Sequence, residues 1–320
     1  MKPRAVAALL AAAAVVVAPA SGYTRTKPNP PSERLSIEVQ GHHRDYYLHI
    51  PEGSRAAPWP LVLVLHGEGG NAPAALSRQR WIEASDRYGF LLVGLEAQAA
   101  RSWLPQGSGL NPRIWNDGDP ANPEAITRSD DVGYTKAVLD ELKRRFTIEA
   151  AHTYAAGFSG GGAMTQRLAV ELGGEFAAIA SASARRFGTQ APRVPLSVML
   201  IYGRLDPQLP AAGGGSLRPV AGTPEPSSSA VIASWIRDLH CAGESQPESP
   251  NPRVERQTWP ACDGGAEVQA VNVADLGHHW GGGLPDPAGS AAGPASDAFD
   301  STGEIWNFFV RHPRAAAPHP

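Results

Sequence analysis

Residues 152–172 read His152-Thr153-Tyr154-Ala155-Ala156-Gly157-Phe158-Ser159-Gly160-Gly161-Gly162-Ala163-Met164-Thr165-Gln166-Arg167-Leu168-Ala169-Val170-Glu171-Leu172. The apolar run from His152 to Gly157 predicts a strand, and Gly162 to Leu172 predicts a helix. A serine therefore stands where the strand turns into the helix within a few residues. The glycines two before and two after it are needed there, because a Cβ at either place would clash in so sharp a turn. Bare Gly-x-Ser-x-Gly is common in a Gly-rich chain, but this placement puts Ser159 at a helix N-terminus. From there the amide of Gly160 can donate to a developing oxyanion.

Working outward, Leu35 to Val39 alternates apolar and polar, Gly41 breaks the run, and Tyr46 to Ile50 resumes it, which predicts a hairpin. Pro60 to His66 is continuously apolar, as suits a strand covered on both faces. A helical stretch from Ala74 to Tyr88, an apolar run from Phe90 to Leu95, a long loop holding Trp103 and Trp115, and a helix from Asp131 to Phe146 follow. Asp130 and Asp131 suit the N-terminal dipole of that last helix. Apolar segments then recur at Phe176 to Ser181, Leu196 to Tyr202 and Val268 to Val273. Ser301-Thr302-Gly303-Glu304 reads as a capping box before a closing amphipathic helix with Ile305, Trp306, Phe308 and Phe309. The order predicts an α/β fold built on a mostly parallel eight-stranded sheet, with helices on both faces.

Of 320 residues, 42% are hydrophobic and 18% charged, which excludes a disordered chain. Gly (34) and Pro (30) together make a fifth of the residues without a triplet period, so many turns are expected and collagen is excluded. The net charge is −3, with no basic cluster interleaved with aromatics, so nucleic acid is a poor partner. Lys2 and Arg4 precede an uncharged run from Ala5 to Ala18 closed by Ala18-Pro19-Ala20. This predicts a signal peptide over residues 1–20, too short for a membrane anchor, and a secreted product. A leader over 21–33, a single catalytic domain over 34–312 and a disordered tail over 313–320 complete the expected organisation. Nothing after His312 reads as an adsorption domain for a solid substrate. Cys241 and Cys262 are the only cysteines, and export predicts one disulfide between them. In the chain-entropy model, closing a loop of about 20 residues is worth on the order of 3 kcal/mol, and the segment Ala242 to Ala261, rich in Pro, Ser and Glu, could hardly hold its own shape.

A serine nucleophile needs a histidine base and a carboxylate to orient it, following in the order Ser, Asp, His. Asp206 stands just past the strand Leu196 to Tyr202 and His278 just past the final one, with His279 as the rival base. The loop His66-Gly67-Glu68-Gly69-Gly70 should supply a second oxyanion donor, the amide of Glu68. The pairs His278-His279 and His42-His43 are accompanied by no carboxylate or thiol cluster with ligand spacing, so no metal is expected. Trp280, Trp115 and Trp103 are candidates to line a pocket.

Leu65-His66-Gly67-x-Gly69-Gly70, Trp115-Asn116, Asp130-Asp131-Val132-Gly133-Tyr134, Gly157 to Met164, Gly203-x-x-Asp206-Pro207 and Gly277-His278-x-Trp280 together resemble the secreted polyhydroxybutyrate depolymerase and feruloyl or acetylxylan esterase family. The resemblance covers about Leu35 to His312. It implies an α/β-hydrolase that cleaves carboxylic esters without a cofactor, with Ser159 as nucleophile, Asp206 as acid and His278 as base. Its implied partner is a small or oligomeric ester. The cysteine pair upstream of the histidine also resembles family members. Glu68 stands where the family often has Cys, and Gly281 where it often has Pro. A carboxylate at Glu68 disfavours strongly anionic substrates. A peptidase or a non-catalytic binding module on the same fold are the alternatives.

Overall fold

The computed structural model describes residues 32–53, 57–101, 103–107, 109–210, 227–284 and 289–314. The expected signal peptide, most of the expected leader, and positions 211–226 and 315–320 lie outside these residues. In chain order the first half holds β1 (Glu33–Val39), β2 (His42–His49), β3 (Trp59–Leu65), α1 (Ala72–Arg78), α2 (Trp81–Tyr88), β4 (Leu91–Leu95), β5 (Gln98–Ala99), β6 (Arg113–Ile114), α3 (Glu124–Thr127) and α4 (Asp131–Arg145). The second holds β7 (Ile148–Phe158), α5 (Gly160–Glu171), β8 (Ala178–Ala182), β9 (Ser197–Gly203), α6 (Ser228–Asp238), β10 (Gln246–Asn251), β11 (Val254–Trp259), β12 (Val268–Val273) and α7 (Ser301–Arg311).

The main sheet runs β1-β2-β4-β3-β7-β8-β9-β12-β11-β10. From β4 to β12 neighbours are parallel, while the pairs at both edges are antiparallel. Strand β3 explains why a continuous apolar run is needed at the centre. Leu61, Leu63 and Leu65 enter one core beside α4, α5 and α6, and Val62 and Val64 enter the other beside α1, α2 and α7. Full burial of each such side chain is worth about 1.5–3 kcal/mol. The α/β-hydrolase architecture, with helices on both faces of a mostly parallel sheet, is the one the sequence predicts.

Three expectations need correction. The sheet has ten strands, not eight, because the Pro/Ser/Glu-rich segment after Cys241 forms the hairpin β10–β11, whose register runs from Gln246↔Thr258 to Asn251↔Val254. Pro247 and Pro250 sit on the outermost strand, the part of a sheet to which proline is ordinarily confined. The hairpin gains its place by pairing β11 with β12. The disulfide Cys241–Cys262 closes its base, where Ala242 also donates to the Ala261 carbonyl at 2.7 Å. The helix expected over Ala74 to Tyr88 is two helices, since Arg80 between them has φ 61° and cannot continue a right-handed turn. The cap of α7 is Asp300, whose carboxylate accepts the Gly303 amide, one residue earlier than the expected box. Of the expected tail, Arg314 still donates its amide to the Ala151 carbonyl at 2.9 Å.

Candidate active site

Strands β3 and β7 lie side by side and parallel, so the turn after β7 and the loop after β3 emerge together at their carboxyl ends. That is where an open α/β sheet forms its crevice. Ser159, between β7 and α5, has φ 53° and ψ −124°, a conformation rare for a residue with a side chain and of the kind that collects at functional turns. The two flanking glycines are obligatory by contact. A Cβ on Gly157 would lie 2.2 Å from the Gly161 carbonyl oxygen, and one on Gly161 would lie 2.2 Å from that of Leu65.

His278 Nε2 stands 2.9 Å from Ser159 Oγ, and its Nδ1 stands 2.8 Å from Asp206 Oδ2. A carboxylate only accepts, so the ring proton sits on Nδ1 and leaves Nε2 to accept from the hydroxyl. Asp206 Oδ1 accepts the amides of Gln208 (2.8 Å) and Leu209 (3.1 Å). Burial works to raise the Asp206 carboxyl, but the His278 hydrogen bond and charge, joined by those two amides, outweigh it and hold the group below the usual range. An ionised carboxylate behind the imidazole is the result. His279, the rival base, turns its Nε2 to the Gly293 carbonyl at 3.0 Å.

The loop after β3 is a tight turn, with the Gly70 amide donating to the Gly67 carbonyl at 3.0 Å and Gly69 at φ +73°. A Cβ built on Gly160 would lie 3.6 Å from the Glu68 amide nitrogen, so the backbones of Gly160 and Glu68 face each other across the crevice beside Ser159. His66 beneath this turn is fully buried, and desolvation lowers its pKa to about 4. The ring is therefore neutral. Its Nδ1 donates to the Gly67 carbonyl (2.7 Å) and its Nε2 accepts the Ala97 amide (3.1 Å).

Two cavities meet at Glu68 and His278. The smaller, about 80 Å³, is bounded by Ser159, Gly160, Asp117, Asp119 and Arg185. The larger, about 370 Å³, is walled by Phe158, Trp280 and the Gly67–Gly70 turn. Of the three tryptophans considered from sequence, Trp280 lines this larger cavity. Trp115 does not face the crevice. It is 1% exposed and donates its indole N–H to the His66 carbonyl at 2.8 Å, from beneath the turn. Trp103 is 76% exposed on the outer loop.

Sequence reasoning passed over Asp117, whose buried carboxyl is raised to about 7 by desolvation and which borders the smaller cavity. It also gave Asp131 a purely helical role. Asp130 alone caps α4, while Asp131 pairs with buried Arg44 at 2.6 Å and accepts the Asn116 amide at 2.7 Å. Among the described residues, no group of three or more His, Cys, Asp or Glu could hold a metal. Likewise no helix there is long and apolar enough to cross a membrane.

Residues 44–225 match the family described as esterase PHB depolymerase. NocK of Nocardia uniformis subsp. tsuyamanensis, which carries the name of an esterase, is 33% identical over 77% of this chain and 73% of its own length. Feruloyl esterase C of Emericella nidulans is 32% identical over 54% of this chain, a match that spans 59% of that protein. Among solved structures, the acetyl xylan esterase from Aspergillus awamori superposes with a TM-score of 0.50 at 12% identity, covering 73% of this chain and 88% of its own.

Proposed function

Because the chain belongs to the PHB depolymerase esterase family and is a carboxylic ester hydrolase, we propose that it works through an acyl-enzyme formed on Ser159. His278 takes the Ser159 proton through Nε2 while the alkoxide attacks the ester carbonyl. Asp206 holds the imidazole in the productive tautomer and stabilises its cation. The amides of Gly160 and Glu68 receive the charge that develops on the carbonyl oxygen. His278 then protonates the departing alcohol, and water, activated by the same nitrogen, releases the acid. The observation that carries this reading is the unbroken line Ser159 Oγ, His278, Asp206, with its 2.9 Å and 2.8 Å steps, at the mouth of the crevice.

The two unequal cavities support a reading of the substrate class. The smaller has acidic and basic side chains that suit a hydroxyl-bearing group, and the larger has aromatic walls that suit an apolar or aromatic one. Feruloyl or acetyl esters on a sugar, or short hydroxyalkanoate oligomers, present both kinds of group. We propose action on such soluble esters, by an enzyme exported through residues 1–20.

The test is fluorophosphonate labelling of the mature protein, with peptide mapping, beside turnover of p-nitrophenyl acetate, a feruloyl ester, a hydroxybutyrate trimer and a peptide amide. Labelling at Ser159 with ester turnover is expected. Amide turnover alone would make it a peptidase, and absence of label at Ser159 would leave a binding module.

A further inference from the structure

Two of the residues that hold the turn carrying the Glu68 amide form a small buried circuit beside it. Glu96 follows β4 and is 7% exposed. One of its oxygens, Oε2, accepts the Ala72 amide at 2.8 Å, just beyond the turn. The other, Oε1, is ion-paired with Nε of Arg113. The backbone carbonyl of the same Arg113 accepts the Gly69 amide at 2.8 Å, inside the turn. The two residues thus grip the segment 69–72 at both ends.

Strand pairing cannot supply this grip. Arg113 belongs to β6, which among the described residues pairs only with β5, through Gln98↔Ile114 and Ala99↔Arg113. Two such rungs are far too few for a stable ribbon. The side-chain tie from Arg113 to Glu96 joins the Gly69–Arg113 and Trp115–His66 hydrogen bonds in fixing β6 against the turn. Glu96 is itself pinned, since Arg44 donates to its carbonyl at 3.1 Å and the next amide, Ala97, donates to His66 at 3.1 Å. Burial pushes the Glu96 carboxyl up, with the Ala72 amide and Arg113 opposing that shift.

We propose that Glu96 and Arg113 are a positioning pair that sets the Glu68 amide against that of Gly160. The proposal rests on the reading of Ser159, Gly160 and Glu68 given above. Neither side chain reaches the reacting atoms. Their effect passes through the Gly69 and Ala72 amides to the turn between them. A misplaced donor weakens binding of the charged transition state while leaving substrate binding nearly untouched, so the loss should fall on kcat.

The experiment uses the full mature chain with Glu96→Gln, Arg113→Lys and Arg113→Met. Glu96→Gln keeps the acceptor for Ala72 and leaves Arg113, which is partly exposed, free to reach solvent. It is the mildest cut of the tie. For p-nitrophenyl acetate, with sites counted by fluorophosphonate titration, Glu96→Gln should lower kcat about 10- to 100-fold with KM within about twofold. A boronic acid, whose tetrahedral adduct carries charge in the same place, should bind weaker by a similar factor. Arg113→Lys should restore most of the kcat lost in Arg113→Met. An unchanged kcat per titrated site, a loss confined to KM, or boronate affinity equal to wild type would overturn the proposal, whatever the melting temperature does. Ser159→Ala is run alongside. Persisting turnover there would sink the reading of the site itself, an outcome separate from any result with Glu96.

Discussion

The indole of Trp115 donates to the carbonyl of His66 at 2.8 Å, and the two rings stand 5.3 Å apart, inclined by 45°. The hydrogen bond reaches the last residue before the glycine turn, so a side chain that never meets the substrate fixes where the turn begins.

Trp115→Phe keeps most of the buried ring and deletes the donor, leaving the His66 carbonyl short of a partner. Loss of such a buried bond costs about 1–3 kcal/mol in stability. We expect that loss in urea melts, together with a kcat reduction of about 5- to 20-fold and a KM within twofold. A KM increase at constant kcat would show instead that Trp115 touches substrate.

The two neighbouring histidines should separate cleanly. His278→Ala and Ser159→Ala should each reduce kcat by about 10⁴ or more, and the double variant should be little worse, because members of such a unit fail together. Asp206→Asn should lose a comparable amount, since an amide in that place favours the wrong tautomer. His279→Ala removes a bond to the Gly293 carbonyl and part of the wall of the larger cavity but no proton-transfer group, and should retain activity within about threefold. Stopped-flow or steady-state rates on one soluble ester decide the matter. Comparable losses at His278 and His279 would overturn the assignment.

Much of this arrangement was legible in the chain because it follows from local rules. The elbow needs Gly157 and Gly161 for room, and Asp206 and His278 follow strands whose ends must open on the crevice. What escaped was set by contacts distant in sequence. Trp115 reads as a pocket aromatic, and only the approach of residues 49 positions apart shows it under the turn. Asp131 reads as a helix-dipole acid until Arg44, 87 residues away, is brought against it. The hairpin β10–β11 has poor strand composition and forms because β12 offers an open edge and the disulfide shortens the connection. Its strands could not be read from propensity.

The steric account of the elbow gives a contrast between neighbouring glycines. Gly157→Ala and Gly161→Ala each drive a methyl within 2.2 Å of a backbone carbonyl oxygen that cannot move without opening the strand-to-helix turn. Both should lose at least about 3 kcal/mol of stability or fail to accumulate as folded protein. Gly160→Ala meets nothing closer than 3.6 Å and should fold with a melting temperature near wild type. Thermal melts of the three variants test this, and a Gly161→Ala protein as stable as Gly160→Ala would refute it.

Two buried groups should leave opposite marks on stability against pH. Asp117 is raised by desolvation from 3.8 to about 7 in the folded protein. Between those values the folded state binds more protons than the unfolded one, so the Asp117 contribution is full below about pH 4 and lost as pH rises towards 7. His66 is lowered by burial from 6.5 to about 4. Between those values the unfolded state binds the extra proton, so its contribution is full above about pH 6.5 and lost as pH falls towards 4. Each slope approaches about 1.4 kcal/mol per pH unit, and over pH 4.5–6 they oppose and largely cancel. Asp117→Asn removes one of them. Urea unfolding of wild type and this variant between pH 4.5 and 6 should show a flatter profile for wild type and a stability that climbs with pH for the variant. Groups common to both proteins drop out of the difference. A difference curve that stays flat across this range would mean that the Asp117 carboxyl is not held protonated by its burial at the edge of the smaller cavity.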